Sequence, residues 1–132
     1  MILLSREDIV EINHVVLRRT GAHRPDQAII LNTTGLDYLV ESISATVFGR
    51  AMFPSVHEKA ARYAVGIIQD HIFMDGNKRT GLLAALMFLE LNGWSTTKDL
   101  SDDEIVEIGL AMAQSKLGID EATEWFSRHT EQ

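Results

Sequence analysis

The sequence predicts an all-α single domain over residues 1–132, on three observations. Apolar residues recur at three- and four-residue spacing along most of the chain. The pairs Ser55/Glu58 and Ser101/Glu104 carry the capping-box spacing that marks helix starts. No run of alternating β-branched residues is long enough to compete, apart from a short strand around Trp94 to Thr97.

Ser5 is placed to cap a first helix whose Ile9, Ile12, Val16 and Leu17 share a face and which ends by Gly21. A loop with Pro25 and Asn32 follows. Leu36, Leu39, Val40, Ile43 and Val47 predict a second helix stopping at Gly49, and Gly49 to Pro54 is long enough for a small flap or hairpin. The third helix starts at Ser55 and carries Ala60, Ala61, Ala64, Ile67 and Ile68 toward His71, its alanines suited to close helix contact. A fourth runs from about Asn77 to Leu91 and is apolar on nearly every side (Leu82, Leu83, Leu86, Met87, Leu89), as a central buried helix would be, with Asn92-Gly93 ending it. Ser101 opens a fifth with Ile105, Ile108 and Met112, and Asp120 is expected to cap a short sixth that buries Trp125 and Phe126.

Composition narrows the function. There is no cysteine, which excludes disulfides and thiolate chemistry. No apolar run approaches a membrane span, and MILLSRED lacks the basic lead and long apolar core of a signal peptide, so a cytoplasmic location is expected. A net charge of -7 argues against broad nucleic-acid binding, which needs Lys and Arg to neutralise phosphates. Any polyanion bound here must be small and held locally.

One stretch concentrates the chemistry: HIFMDGNKR, His71 to Arg79. If a helix begins near Asn77, Lys78 and Arg79 lie at its positive pole, where like charge costs about 0.3–1 kcal/mol per residue. Sequences break such a local rule where function demands it. A bound polyanion compensates: free amides, a glycine, an asparagine and two cations at one helix terminus suit a phosphate chain. Asp75 then matches the carboxylate that holds Mg²⁺ together with nucleotide phosphates. His71 is left as the proton acceptor, expected on the last turn of the preceding helix. Taken singly, the histidine, the Asp-Gly turn and the Lys-Arg pair also fit a cap, a loop and a solvated surface.

Other motifs fail. HEKAAR at His57 lacks the second histidine of a zinc-protease helix, since Ala61 stands there, and no phosphate-binding loop of the G-x-x-x-x-G-K-[ST] type or G-x-S-x-G elbow occurs. His14, His23 and His129 suggest no partners and read as surface residues.

The run His71 to Arg79 resembles the signature of the Fic/Doc superfamily, roughly H-x-F-x-[DE]-[AG]-N-[GK]-R, and Lys78 resembles the Doc (death-on-curing) branch, where most Fic proteins have glycine. The resemblance implies the compact helical Fic/Doc fold of about six helices and transfer of part of ATP to a protein hydroxyl. By it, His71 deprotonates the attacking Ser or Thr, Asp75 binds Mg²⁺, Gly76 allows the turn that exposes the amides, Asn77 and Arg79 hold phosphate oxygens, and Phe73 anchors the loop. Lys78 fills the space that glycine leaves for pyrophosphate in AMP-transferring relatives, which implies a reversed nucleotide and γ-phosphoryl transfer, that is, a kinase. The analogy names elongation factor Tu as target, with arrest of translation. Asp70 and Ile72 depart from the Asn and Pro of many relatives, and the self-inhibitory [ST]-x-x-x-E-[GN] motif is absent. Restraint is therefore expected from a Phd-like antitoxin. Arg50, Met52 and Phe53 on the flap are candidates for docking the target as an added strand. The alternatives are AMPylation by the same site and a catalytically silent binding module.

Overall fold

A computed structural model describes residues 1–20 and 29–132. Among the described residues, six helices carry the fold: α1 (Arg6–Thr20), α2 (Thr33–Ile43), α3 (Val56–Gln69), α4 (Asn77–Leu91), α5 (Asp102–Ala113) and α6 (Ile119–Arg128). Two antiparallel two-stranded ladders accompany them among the described residues. In the first, β1 (Thr46–Val47) pairs with β2 (Arg50–Ala51), Val47 opposite Arg50. In the second, β3 (Ser95–Thr96) pairs with β4 (Thr130–Glu131), Thr96 opposite Thr130, so the chain end clips back beside α4. The loop expected around Pro25, and His23, lie outside the described residues.

The helix starts follow the predicted chemistry in all but one case. The Ser5 hydroxyl accepts from the Asp8 amide at 3.1 Å, while the Asp8 carboxylate accepts from the Ser5 amide at 2.8 Å. Ser55 caps α3 through the Glu58 amide, and Ser101 with Glu104 forms a reciprocal box on α5. α6 differs: Gly118 is the cap position, its amide held by Glu121 at 3.1 Å, and Asp120 sits inside the first turn as a favourable negative charge at the positive pole. The predicted extension of α2 through Val47 to Gly49 does not form either. Beyond Ile43 the chain leaves the core, so Val47 is exposed in β1, and Phe48 and Gly49 make a turn with φ of 52° and 78°. A β-hairpin tolerates that geometry and a helix does not.

α3 is the centre of the molecule. Ala60, Ala61, Tyr63, Ala64 and Ile67 are fully buried, α4 packs along one side of it and α6 along another. Gly81 permits the α3–α4 approach: a Cβ there would lie 2.9 Å from the Ala64 carbonyl oxygen and 2.7 Å from Ile68 Cγ1. α4 is less enveloped than its composition suggests. Gly81, Ala84, Ala85, Phe88 and Leu89 face the core, Leu83 and Leu86 are half-buried, and Met87 and Leu91 are exposed. Tyr63 packs 5.2 Å from Phe88, ring to ring, and its hydroxyl accepts from the Leu4 amide and donates to the Leu4 carbonyl, tying the N-terminus to α3. Phe126 is fully buried and Trp125 half-buried on α6.

Candidate active site

The loop between α3 and α4 begins where α3 ends. Asp70 is the terminal cap, and the Ile72 amide reaches back to the Ile67 carbonyl at 3.5 Å, closing the helix in the manner of a Schellman turn. His71 therefore lies two residues beyond the last residue of the helix, correcting its expected place on the last turn, and has a φ of 49°. Glycine usually fills that position, and a non-glycine residue there stores strain of the kind found at functional sites. The backbone turn leaves His71 exposed while Ile72 and Phe73 on either side of the next peptide are buried at 0%.

The loop is fixed from outside by three asparagines. Asn32, which also caps α2, donates to the Asp70 carbonyl at 2.9 Å, and the Leu31 and Asn32 amides donate to the Ile72 carbonyl. Asn77 is buried and grips Phe73 at both ends, accepting from its amide at 2.9 Å and donating to its carbonyl at 2.8 Å. Asn13, from the core-facing stripe of α1, donates to the Asp75 carbonyl at 3.0 Å. Phe73 also forms an antiparallel bridge with Ile30. The Asn77 side chain thus closes the loop, and its backbone amide belongs to the first turn of α4, the helix end to which the resemblance assigns phosphate.

Gly76 supplies the N-cap of α4 with φ of 77°, no side chain among the described residues caps the helix, and no acidic residue lies in its first turn. The amides and the positive pole thus face outward with Lys78 and Arg79 added to them. A cleft of about 350 Å³ opens here, lined by Ile68, His71, Met74, Asp75, Gly76, Asn77, Lys78 and Ala113. One wall is the end of α3 at Ile68, and another is the amide end of α4. Asp75 is exposed, and one of its carboxylate oxygens accepts from the Gly76 amide at 2.8 Å. Arg79 does not line this cleft. It borders the neighbouring apolar grooves with Leu82 and Ile105, the first also touched by Lys78 and the second by Arg19.

Among the described residues, no group of three His, Cys, Asp or Glu side chains could hold a metal ion. A cation at Asp75 must accordingly draw most of its ligands from a bound phosphate chain and water. That pattern suits Mg²⁺, which keeps waters and takes one or two carboxylates.

The structure does not bring the flap residues to this cleft. The hairpin precedes the N-terminal end of α3, whereas His71 follows its C-terminal end, about 21 Å away along a 14-residue helix. Arg50 and Met52 are exposed, and Phe53 is held at the hairpin's base: Lys59 Nζ donates to its carbonyl and the Arg62 guanidinium lies 5.8 Å from its ring. Nor are His14 and His129 simple surface residues. His14 lies 3.5 Å from Glu11, and His129 lies 3.8 Å from Glu104 and 4.4 Å from the Trp125 ring. Sequence reasoning passed over Asn13, whose polar side chain interrupts the stripe Ile9, Ile12, Val16, Leu17; that interruption was the available signal.

The Fic/DOC family profile matches residues 3–89, from the start of α1 through α4. The chain is 33% identical over 85 residues to a protein named Toxin Doc from Mycolicibacterium smegmatis, a match covering 64% of this chain and 65% of that one. It is 29% identical over 91 residues to Protein kinase doc of Escherichia phage P1, covering 67% and 70% respectively. No helix among the described residues is long and apolar enough to cross a membrane. With the family profile spanning α1 to α4 and the cleft carrying the motif's histidine, acid and lysine, the chain belongs to the Fic/DOC family.

Proposed function

We propose that this chain is a Doc-like toxin and an ATP-dependent protein kinase. The observation that carries the reading is one cleft that joins His71, Asp75, the uncapped amide end of α4 and Lys78. Preorganised donors at such a terminus stabilise charge developing on phosphoryl oxygens, and a fixed loop holds donor and acceptor in line. His71 accepts the proton of the target's Ser or Thr hydroxyl. As that oxygen bonds to the γ-phosphorus, the bond from the γ-phosphorus to the β,γ-bridging oxygen breaks and ADP leaves. Lys78 and the amides of the first turn hold the transferred group, while the Asp75 carboxylate holds Mg²⁺, which neutralises phosphate charge when bound. Lys78 within the cleft favours the γ-position over AMP transfer, and the phage relative's name, Protein kinase doc, runs the same way.

The proposed target is a translation factor, elongation factor Tu by family analogy, and the proposed restraint is a Phd-like antitoxin. An apolar groove beside the cleft, lined by Arg19, Leu82, Leu83, Leu86 and Ile105, offers such a partner a seat for an amphipathic helix with acidic flanks.

Incubation with bacterial lysate and ATP labelled at the α or the γ position tests the reaction. Label transferred from the γ position only, and lost in His71→Ala, is expected; label from the α position would make the chain an AMP-transferring enzyme instead. Expression without a partner should arrest growth, and harmless expression of active, folded protein would defeat the toxin reading.

A further inference from the structure

Asn13 is fully buried on the core-facing stripe of α1, among Ile9, Ile12, Val16 and Leu17, where an apolar side chain is the expected occupant. Its Nδ2 donates to the Asp75 carbonyl at 3.0 Å and to Thr80 Oγ1 at 3.0 Å. Its Oδ1 is buried with no hydrogen-bond partner among the described residues. Turning the amide over would not help, because a carbonyl oxygen only accepts and Oδ1 would then face it. The fold thus keeps a buried, incompletely satisfied amide in its core, an arrangement that calls for a specific explanation.

The explanation lies in one peptide plane. The Asp75 carbonyl and the Gly76 amide belong to the same rigid unit. Asn13 holds the carbonyl edge, and the amide edge donates to the Asp75 carboxylate at 2.8 Å. Rotation of that plane would carry the carboxylate with it. Thr80 completes the tie: its hydroxyl accepts from Asn13, and its own amide donates to the Gly76 carbonyl at 2.8 Å, the first backbone bond of α4. Gly76 leaves room for this approach, since a Cβ there would stand 3.4 Å from Asn13 Nδ2 and 3.2 Å from Val16 Cγ1.

We infer that Asn13 is a positioning residue, which sets the Asp75–Gly76 peptide plane and through it aims the Asp75 carboxylate and the amide end of α4 at the magnesium-bound phosphates of the nucleotide. The inference rests on the nucleotide reading given above. It assigns to α1 a share in the site that the motif from His71 to Arg79 does not contain.

Asn13→Leu and Asn13→Ala test it in the full chain. Leucine fills the same space and removes the unpaired oxygen but leaves the Asp75 carbonyl and the Thr80 hydroxyl without their donor, so its melting temperature should fall less than that of alanine, which also opens a cavity. In both, the magnesium concentration at half-maximal ATP uptake, read by titration calorimetry, should rise about tenfold or more, as for loss of an outer partner of a metal ligand. ATP uptake without magnesium should stay as in the parent. In ligand-free protein the Gly76 amide should exchange with solvent faster in both variants. Should either variant fold poorly, Thr80→Val, which removes one arm of the tie, should give a smaller shift in the same direction. An unmoved magnesium midpoint with an unmoved Gly76 exchange rate, in a parent that does bind Mg·ATP, overturns the role of Asn13 alone. A folded parent that takes up no Mg·ATP overturns the nucleotide reading and this inference together.

Discussion

Gly81→Ala is the sharpest probe of how the fold sets the site, because two physical effects of similar size oppose each other there. In an isolated helix the substitution helps, by about 1 kcal/mol of helix propensity. In this structure the new methyl would stand 2.7 Å from Ile68 Cγ1 and 2.9 Å from the Ala64 carbonyl oxygen. Ile68 can change rotamer, but the Ala64 backbone is locked within α3, so α3 and α4 must separate by several tenths of an ångström. Overpacking of this kind costs about 1–3 kcal/mol, and a contact against backbone belongs at the upper end. The net loss is therefore about 1–2 kcal/mol, which for a domain of this size lowers the melting temperature by about 3–8 °C. The same separation moves His71, at the end of α3, relative to the amide end of α4. Misplacement of reacting groups by about 1 Å can cost 100-fold in rate, so γ-phosphoryl transfer should fall more steeply than stability. Urea unfolding followed by circular dichroism, with a transfer assay well below the transition, measures both. A Gly81→Ala protein stabilised by about 1 kcal/mol, as propensity alone dictates, with unchanged transfer, would show that the two helices do not meet as described.

Further outcomes follow from single sites. His71→Gly should relieve the left-handed backbone and raise stability by about 0.5–1 kcal/mol in urea unfolding while transfer is lost; a loss of stability would deny the strain. His57 donates from Nε2 to Thr130 Oγ1 at 2.9 Å, since that hydroxyl is committed to the Phe126 carbonyl, and burial pulls the imidazole below its usual 6.5. The neutral form is the folded one, so its contribution is complete above 6.5 and is lost as pH falls from there through the lowered value; His57→Gln should flatten the urea midpoint across that window. Burial, foremost, pushes the Tyr63 hydroxyl up to about 12, and Tyr63→Phe strands the Leu4 amide and carbonyl, at a cost of about 1–3 kcal/mol by urea unfolding. An equal midpoint in the phenylalanine variant would mean that water already serves Leu4.

What the sequence determined by itself was local. Helical spacing and the capping serines at Ser5, Ser55 and Ser101 follow from interactions spanning three or four residues, so α1, α3, α4 and α5 could be read directly. The same holds for the cleft's core: His71, Asp75, Gly76 and Lys78 are neighbours in the chain, and their pairing with an uncapped helix start is a local property. Tertiary structure decided the rest. Whether Val47 continued a helix or entered a hairpin depended on the core ending at Ile43. Arg79 faces a groove made with Ile105 of α5, which residue type alone cannot announce. Asn13 meets Asp75 across 62 positions of sequence. The geometry of a peptide plane is local, but what holds that plane comes from another helix, and only the packing of α1 against α4 brings the two together.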